Sequence, residues 1–207
     1  MRVLEAQWAA LRAFWHHGYS EEVRRSAIAF AALALIGFVV CWLLPDLLKR
    51  ITDAIFSYFG SLDVLDGSGK LSVGMLFANN LRACTVAILY GLIPFVYLSS
   101  LALGMNSLLL GVLAAYSVKN GYSMATYALA LLPHGIFELP ALILSFSMGL
   151  FLCGQITRRF RHDETAIPLT QCLIHAARLL LLLIVPLLTV AAVTEAYVTP
   201  LLLSLTA

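Results

Sequence analysis

The sequence predicts an all-α, polytopic membrane protein: about five transmembrane helices, a broken or re-entrant helical element, and an amphipathic N-terminal helix. Three observations predict it. Hydrophobic residues fill 61% of the 207 positions and charged residues only 12%, about half the charged fraction of a soluble domain. Mean hydropathy is +0.93. The apolar residues also gather into runs of the roughly 20 residues that a helix needs to cross a bilayer. The chain is accordingly one helical membrane domain over 26–205, preceded by a segment at 1–25 and carrying a polar loop at 46–70.

Residues 1–19 read as an amphipathic helix. Leu4, Trp8, Leu11 and Trp15 recur at helical spacing, with Arg2, Glu5 and Arg12 off that stripe, so the apolar face either lies on the membrane or packs on the protein. Ser20 is a good N-cap with Glu21 and Glu22 in the turn it opens. The helix it starts runs into a first span at 26–44, read as an uncleaved anchor because acidic residues and arginines precede it. Pro45 and Asp46 end that span. In the loop 46–70, Ile51, Ile55, Phe59 and Leu62 form a short apolar stripe, so part of it is expected to lie flat. Asp66-Gly67-Ser68-Gly69 is a turn signal that lacks the alternating acids and closing glutamate of a calcium loop.

A second span covers 73–98, with Asn79, Ala83, Ala87 and Gly91 as a seam of small residues and Pro94 expected to kink its far end. A turn at Gly104-Met105-Asn106 is expected next. It is followed by a helix to Ser117 that is too short to cross and a second short segment at 122–132, so 106–132 reads as the broken or re-entrant element. Pro133 suits the first position of a helix, and the span 134–157 carries a second seam, Ser145, Gly149 and Cys153. These seams join helices within the chain or build a homodimer. Arg158, Arg159 and Arg161 stop that span, and the last runs over 172–199. Arg178, near its start, can snorkel to the surface and needs no partner.

Arg2, Arg12, Arg24, Arg25, Arg158, Arg159 and Arg161 fall at one end of the spans; Lys49, Arg50, Lys70 and Lys119 fall at the other. The positive-inside rule places the N-terminus, with the segment 1–25, in the cytoplasm. Cys41, Cys84, Cys153 and Cys172 form no CxxC pair and read as buried structural thiols.

The chemistry concentrates in Leu132-Pro133-His134-Gly135-Ile136-Phe137-Glu138-Leu139-Pro140. His134 and Glu138 are four apart and share a helix face, and Pro140 frees the carbonyl of Ile136. Charged groups are rare at membrane depth because desolvation is expensive, so Glu138 marks a functional site. The expected polar cluster is Asn79, Arg82, His134, Glu138 and Glu195, with Pro133, Gly135 and Pro140 shaping the backbone and Arg82 as the counter-charge to a carboxylate. This cluster supports three readings: a structural network, a transport or conduction site, or a metal site in which His134, Glu138 and Glu195 hold zinc or another divalent cation. His16, His17, His162 and His175 lie toward the other side and supply no further ligand. No nucleotide loop, serine triad or nucleic-acid surface is present, and no nucleic acid is expected as a partner.

The Pro-His-Gly-x-x-Glu block resembles the signature of the stage II sporulation protein M family. So do the ending Thr194-Glu195-Ala196-Tyr197-Val198-Thr199-Pro200, Phe77-Ala78-Asn79-Asn80 at the second span, and Gly-Met-Asn-Ser at 104–107. The likeness covers residues 25–205; one departure is Asn106-Ser107, where members commonly carry Asn-Gly. The resemblance implies a multi-pass protein of the cytoplasmic membrane of a bacterium or archaeon. In spore formers it implies a membrane scaffold that localises cell-wall hydrolases. It points to Asn79, His134, Gly135, Glu138 and Glu195. The expected function is a non-enzymatic scaffold in the lipid bilayer that recruits envelope-remodelling partners and needs no cofactor. The alternatives are a transporter or channel for cations or protons and, third, a metal-dependent membrane enzyme.

Overall fold

The computed structural model describes residues 2–60 and 72–204. Its helices are α1 (Arg2–Phe14), α2 (Ser20–Leu43), α3 (Pro45–Gly60), α4 (Val73–Leu89), α5 (Leu98–Lys119), α6 (Met124–Phe160), α7 (Leu169–Leu179), α8 (Val185–Val193) and α9 (Thr199–Ser204). Two π-helical turns, Leu180–Ile184 and Thr194–Val198, join α7, α8 and α9 into one rod. Five helical stretches among the described residues are long and apolar enough to cross a membrane. The all-α polytopic expectation holds. The turn expected at Asp66–Gly69 lies outside the described residues.

In place of the re-entrant element stands one continuous helix, long and apolar enough to cross a membrane. α5 runs unbroken for 22 residues, about 33 Å at the helical rise, straight through Gly104-Met105-Asn106. The turn does not form because the Asn106 amide donates to the Ala102 carbonyl one turn back, at 2.8 Å. Gly104, for its part, lies against α2, where an added Cβ would sit 3.8 Å from Leu33. The reversal falls instead at Gly121, whose φ of +82° suits glycine.

Pro133 does not open its helix. Ser123 does: its hydroxyl accepts from the Thr126 amide at 3.0 Å, and α6 continues for 37 residues through Pro133 and Pro140. Pro94 likewise ends its span rather than kinking it. The chain leaves helix after Leu92 and turns over 93–97, with Phe95 and Tyr97 in the left-handed region. α6 pins this turn, since the Phe95 N–H donates to Thr157 Oγ1 at 3.0 Å and Cys153 Sγ to the Ile93 carbonyl at 3.3 Å.

The two small-residue seams meet each other. Gly91 lies against the backbone of Gly149, and Gly149 against Ser99 and Ala87, so α4 and α6 approach as closely as backbones can. Gly111 of α5 is pressed in the same way onto Ala34 and Phe38 of α2. The seams therefore close the fold from within.

α1 packs on the protein. A kink at His17 and Gly18 (φ +96°) folds it back, burying Leu11 and Phe14, with Trp8 and Trp15 beside them; Leu4 of the expected stripe stays exposed. Phe14 stacks on His175 at 4.2 Å. Arg178, expected to snorkel alone, instead donates from Nε to Gln7 Oε1 at 2.6 Å, tying α7 to α1. At the opposite end α3 docks Leu48 and Thr52 inward and leaves Asp46, Lys49, Arg50 and Asp53 exposed.

Candidate functional site

Three of the five expected polar residues converge. Donor atoms of His134, Glu138 and Glu195 lie within 4.8 Å of one another, and all three side chains are half-buried. His134 and Glu138 come from successive turns of α6; Glu195 arrives on the rod formed by α7 to α9. It sits in the π-helical turn Thr194–Val198, a one-residue widening that is frequent at functional sites. The turn closes with the Thr199 N–H on the Thr194 carbonyl. Buried Thr199 then places its hydroxyl oxygen 3.4 Å from His134 Nδ1.

The three donors line a cavity of about 380 Å³. Asn79, Asn80 and Asn106 contribute its amide wall, while Phe30, Leu76 and Leu142 are among its apolar lining. Asn79 is at the exposed mouth and Asn80 deeper. Asn106 and Leu109 also line a second hollow, of about 780 Å³, between α3 and α5. The two spaces share that wall.

Arg82 does not join the cluster. It lies on an exposed face of α4, makes no ion pair among the described residues, and does not line the cavity. Cys84, Ala87 and Ile88 face inward, and that orientation turns Arg82 outward. No lysine or arginine lines the cavity among the described residues, so the two carboxylates share a partly enclosed site without a fixed cation. Gly135 lines the cavity too, but an added Cβ would meet only Leu131 and Leu139 of its own helix, nothing nearer than 3.5 Å, so no neighbouring helix requires a glycine there. Pro133 and Pro140 lie on either side of the His134–Glu138 turn, and Pro140 leaves the Ile136 carbonyl without its usual helical partner.

The sequence by itself does not mark Asn106 and Thr199 as site residues. Asn106 sits in a Gly-Met-Asn stretch that reads as a turn, and only its place in a continuous helix sends it to the cavity. Thr199 carried a usable signal, since it follows Glu195 by four residues and shares its helix face.

Electronically the site offers one imidazole and two carboxylates, a set suited to protons or to a divalent ion. Comparison with curated proteins and with solved structures gives no match. The family model described as stage II sporulation protein M matches residues 26–200, a stretch that contains every residue of the cavity. With the five spans and the His134–Glu138–Glu195 site in place, the chain belongs to the stage II sporulation protein M family.

Proposed function

We propose that this chain is a non-enzymatic membrane scaffold whose extracytoplasmic face recruits cell-envelope partners such as cell-wall hydrolases, with its N-terminus in the cytoplasm. The observation that carries the reading is α3. It is a 16-residue helix fixed to the end of the bundle opposite α1, and its exposed face carries Asp46, Lys49, Arg50 and Asp53. A docked helix with a charged outer face is a surface that a soluble envelope protein can grip. Orientation follows from charge. Arg12, Arg24, Arg25, Arg158, Arg159 and Arg161 gather at the α1 end, against Lys49, Arg50 and Lys119 at the α3 end.

The test is co-purification with cell-wall hydrolases from membranes carrying the chain or a variant with Asp46, Lys49, Arg50 and Asp53 replaced by alanine. Recovery should fall several-fold in the variant. Equal recovery from both removes α3 as the contact surface and the scaffold reading with it.

The cavity favours a second reading, passage of protons or cations through His134, Glu138 and Glu195. Broken or irregular helices around buried polar groups are typical of transport sites, and here two prolines and a π turn frame the three side chains. Flux into liposomes that disappears in Glu138→Gln would establish it; liposomes tight to every cation gradient would remove it.

A further inference from the structure

We propose that His134, Glu138 and Glu195 form a binding site for one divalent transition-metal ion of the zinc class. The argument begins with charge. Two glutamates reach one point in a cavity that, His134 apart, no lysine or arginine lines among the described residues, and Arg82, the arginine nearest in sequence to the cavity's Asn79 and Asn80, faces away. Two carboxylates meeting in a partly enclosed cavity repel one another and favour neutralisation. A divalent cation supplies both positive charges at the place where the oxygens meet.

The donor set narrows the choice. Calcium and magnesium take oxygen cages of six or more ligands, whereas one imidazole with two carboxylates suits zinc and its neighbours in the first transition row. Donors bound to one zinc ion stand roughly 3.4 Å apart in a tetrahedron. Separations of up to 4.8 Å close to that value by small rotamer adjustments in the two glutamates.

His134 has a second partner, as metal-ligating histidines do: Nδ1 stands 3.4 Å from the Thr199 hydroxyl, and Nε2 is free to take an ion. Three protein donors also leave a fourth coordination position, and the cavity with its asparagine wall has room for it. Two protons would also neutralise the glutamates, but they would not call for an imidazole at the same point.

The inference stands apart from the scaffold reading, because metal binding is measured on the purified chain without any partner. The experiment uses full-length protein in detergent, with an affinity tag free of histidine. The protein is stripped with EDTA and dialysed against Zn2+ in the presence of excess Ca2+, and the metal is counted by elemental analysis. The expected result is saturable binding of one zinc per chain, weakened at least ~10-fold in each of His134→Ala, Glu138→Gln and Glu195→Gln and unchanged in His16→Ala/His17→Ala. Thr199→Val is the gentler variant should a ligand substitution disturb folding. It keeps all three donors and should still weaken zinc several-fold. Three results would overturn the site: no saturable zinc, displacement by Ca2+, or zinc that survives the three ligand variants and is lost with His16 and His17.

Discussion

Gly91 and Gly149 meet backbone to backbone where the end of the second crossing passes α6, and no methyl group fits between them. A Cβ on Gly149 would strike the Ala87 carbonyl, which is fixed in its helix, and Ser99, whose hydroxyl could move only by giving up its 2.8 Å bond to that carbonyl. Gly149→Ala should therefore cost at least about 1–3 kcal/mol. Gly154→Ala, five residues on in the same helix with open space around it, should be neutral or stabilise by up to about 1 kcal/mol. Thermal unfolding of the two variants in detergent checks the contrast.

Tyr19 is fully buried, and its hydroxyl donates to the Leu144 carbonyl at 2.8 Å. Tyr19→Phe keeps the ring contacts with Phe14 and Phe151 but leaves that carbonyl with one partner fewer. The expected loss is about 1 kcal/mol, measured as a lowered unfolding midpoint with an unchanged helical signal.

The hinge between α1 and α2 depends on Gly18, whose φ of +96° is costly for any residue with a Cβ. Gly18→Ala and Gln7→Ala attack the same docking from two sides, the second by removing the acceptor for Arg178. Each should raise the rate of limited proteolysis around residues 12–18 several-fold while leaving cleavage in the loop 161–168 unchanged. Equal protection in wild type and variants would show that α1 is held by its apolar face alone.

The loop after α6 is organised by Asp163. Its carboxylate accepts from the Thr165 hydroxyl, from Arg158 Nε and from the Thr165 N–H, and these bonds hold its pKa at about 2. The native state thus favours the charged form, so the contribution is fully present above the unfolded carboxyl value near 4 and is lost as pH falls through about 2. Hydrogen exchange at the Thr165 amide should be faster in Asp163→Asn at neutral pH, and the gap should narrow only as the acid limb is reached.

Much of this arrangement was legible because apolar runs and charge breaks are local properties. The spans at both ends of the chain, the facing of His134 and Glu138, and the approach of Glu195 all follow from spacing and alternating direction. Rotation about a helix axis is not local. Arg82 stands three residues after Asn79, yet the inward set Cys84, Ala87 and Ile88 decides which way it points, and that set is chosen by α6. The same holds for Gln7 and Arg178, 171 residues apart, and for Asn106, whose turn-like neighbours are overruled by the packing of α5 on α2. Propensity at Gly104 and Pro133 pointed to breaks; tertiary contact carried the helices through both.

A π turn is a helix with one residue too many, and the one at Thr194–Val198 sets the phase of everything beyond it. Each residue turns an α-helix by about 100°, so deleting one residue there would straighten the rod and swing Thr199 a quarter-turn or more away from His134. The alignment of α9 with α6 thus depends on that extra residue. A chain that lost it would keep His134, Glu138 and Glu195 in its sequence and still draw the Thr199 hydroxyl away from the imidazole it now meets.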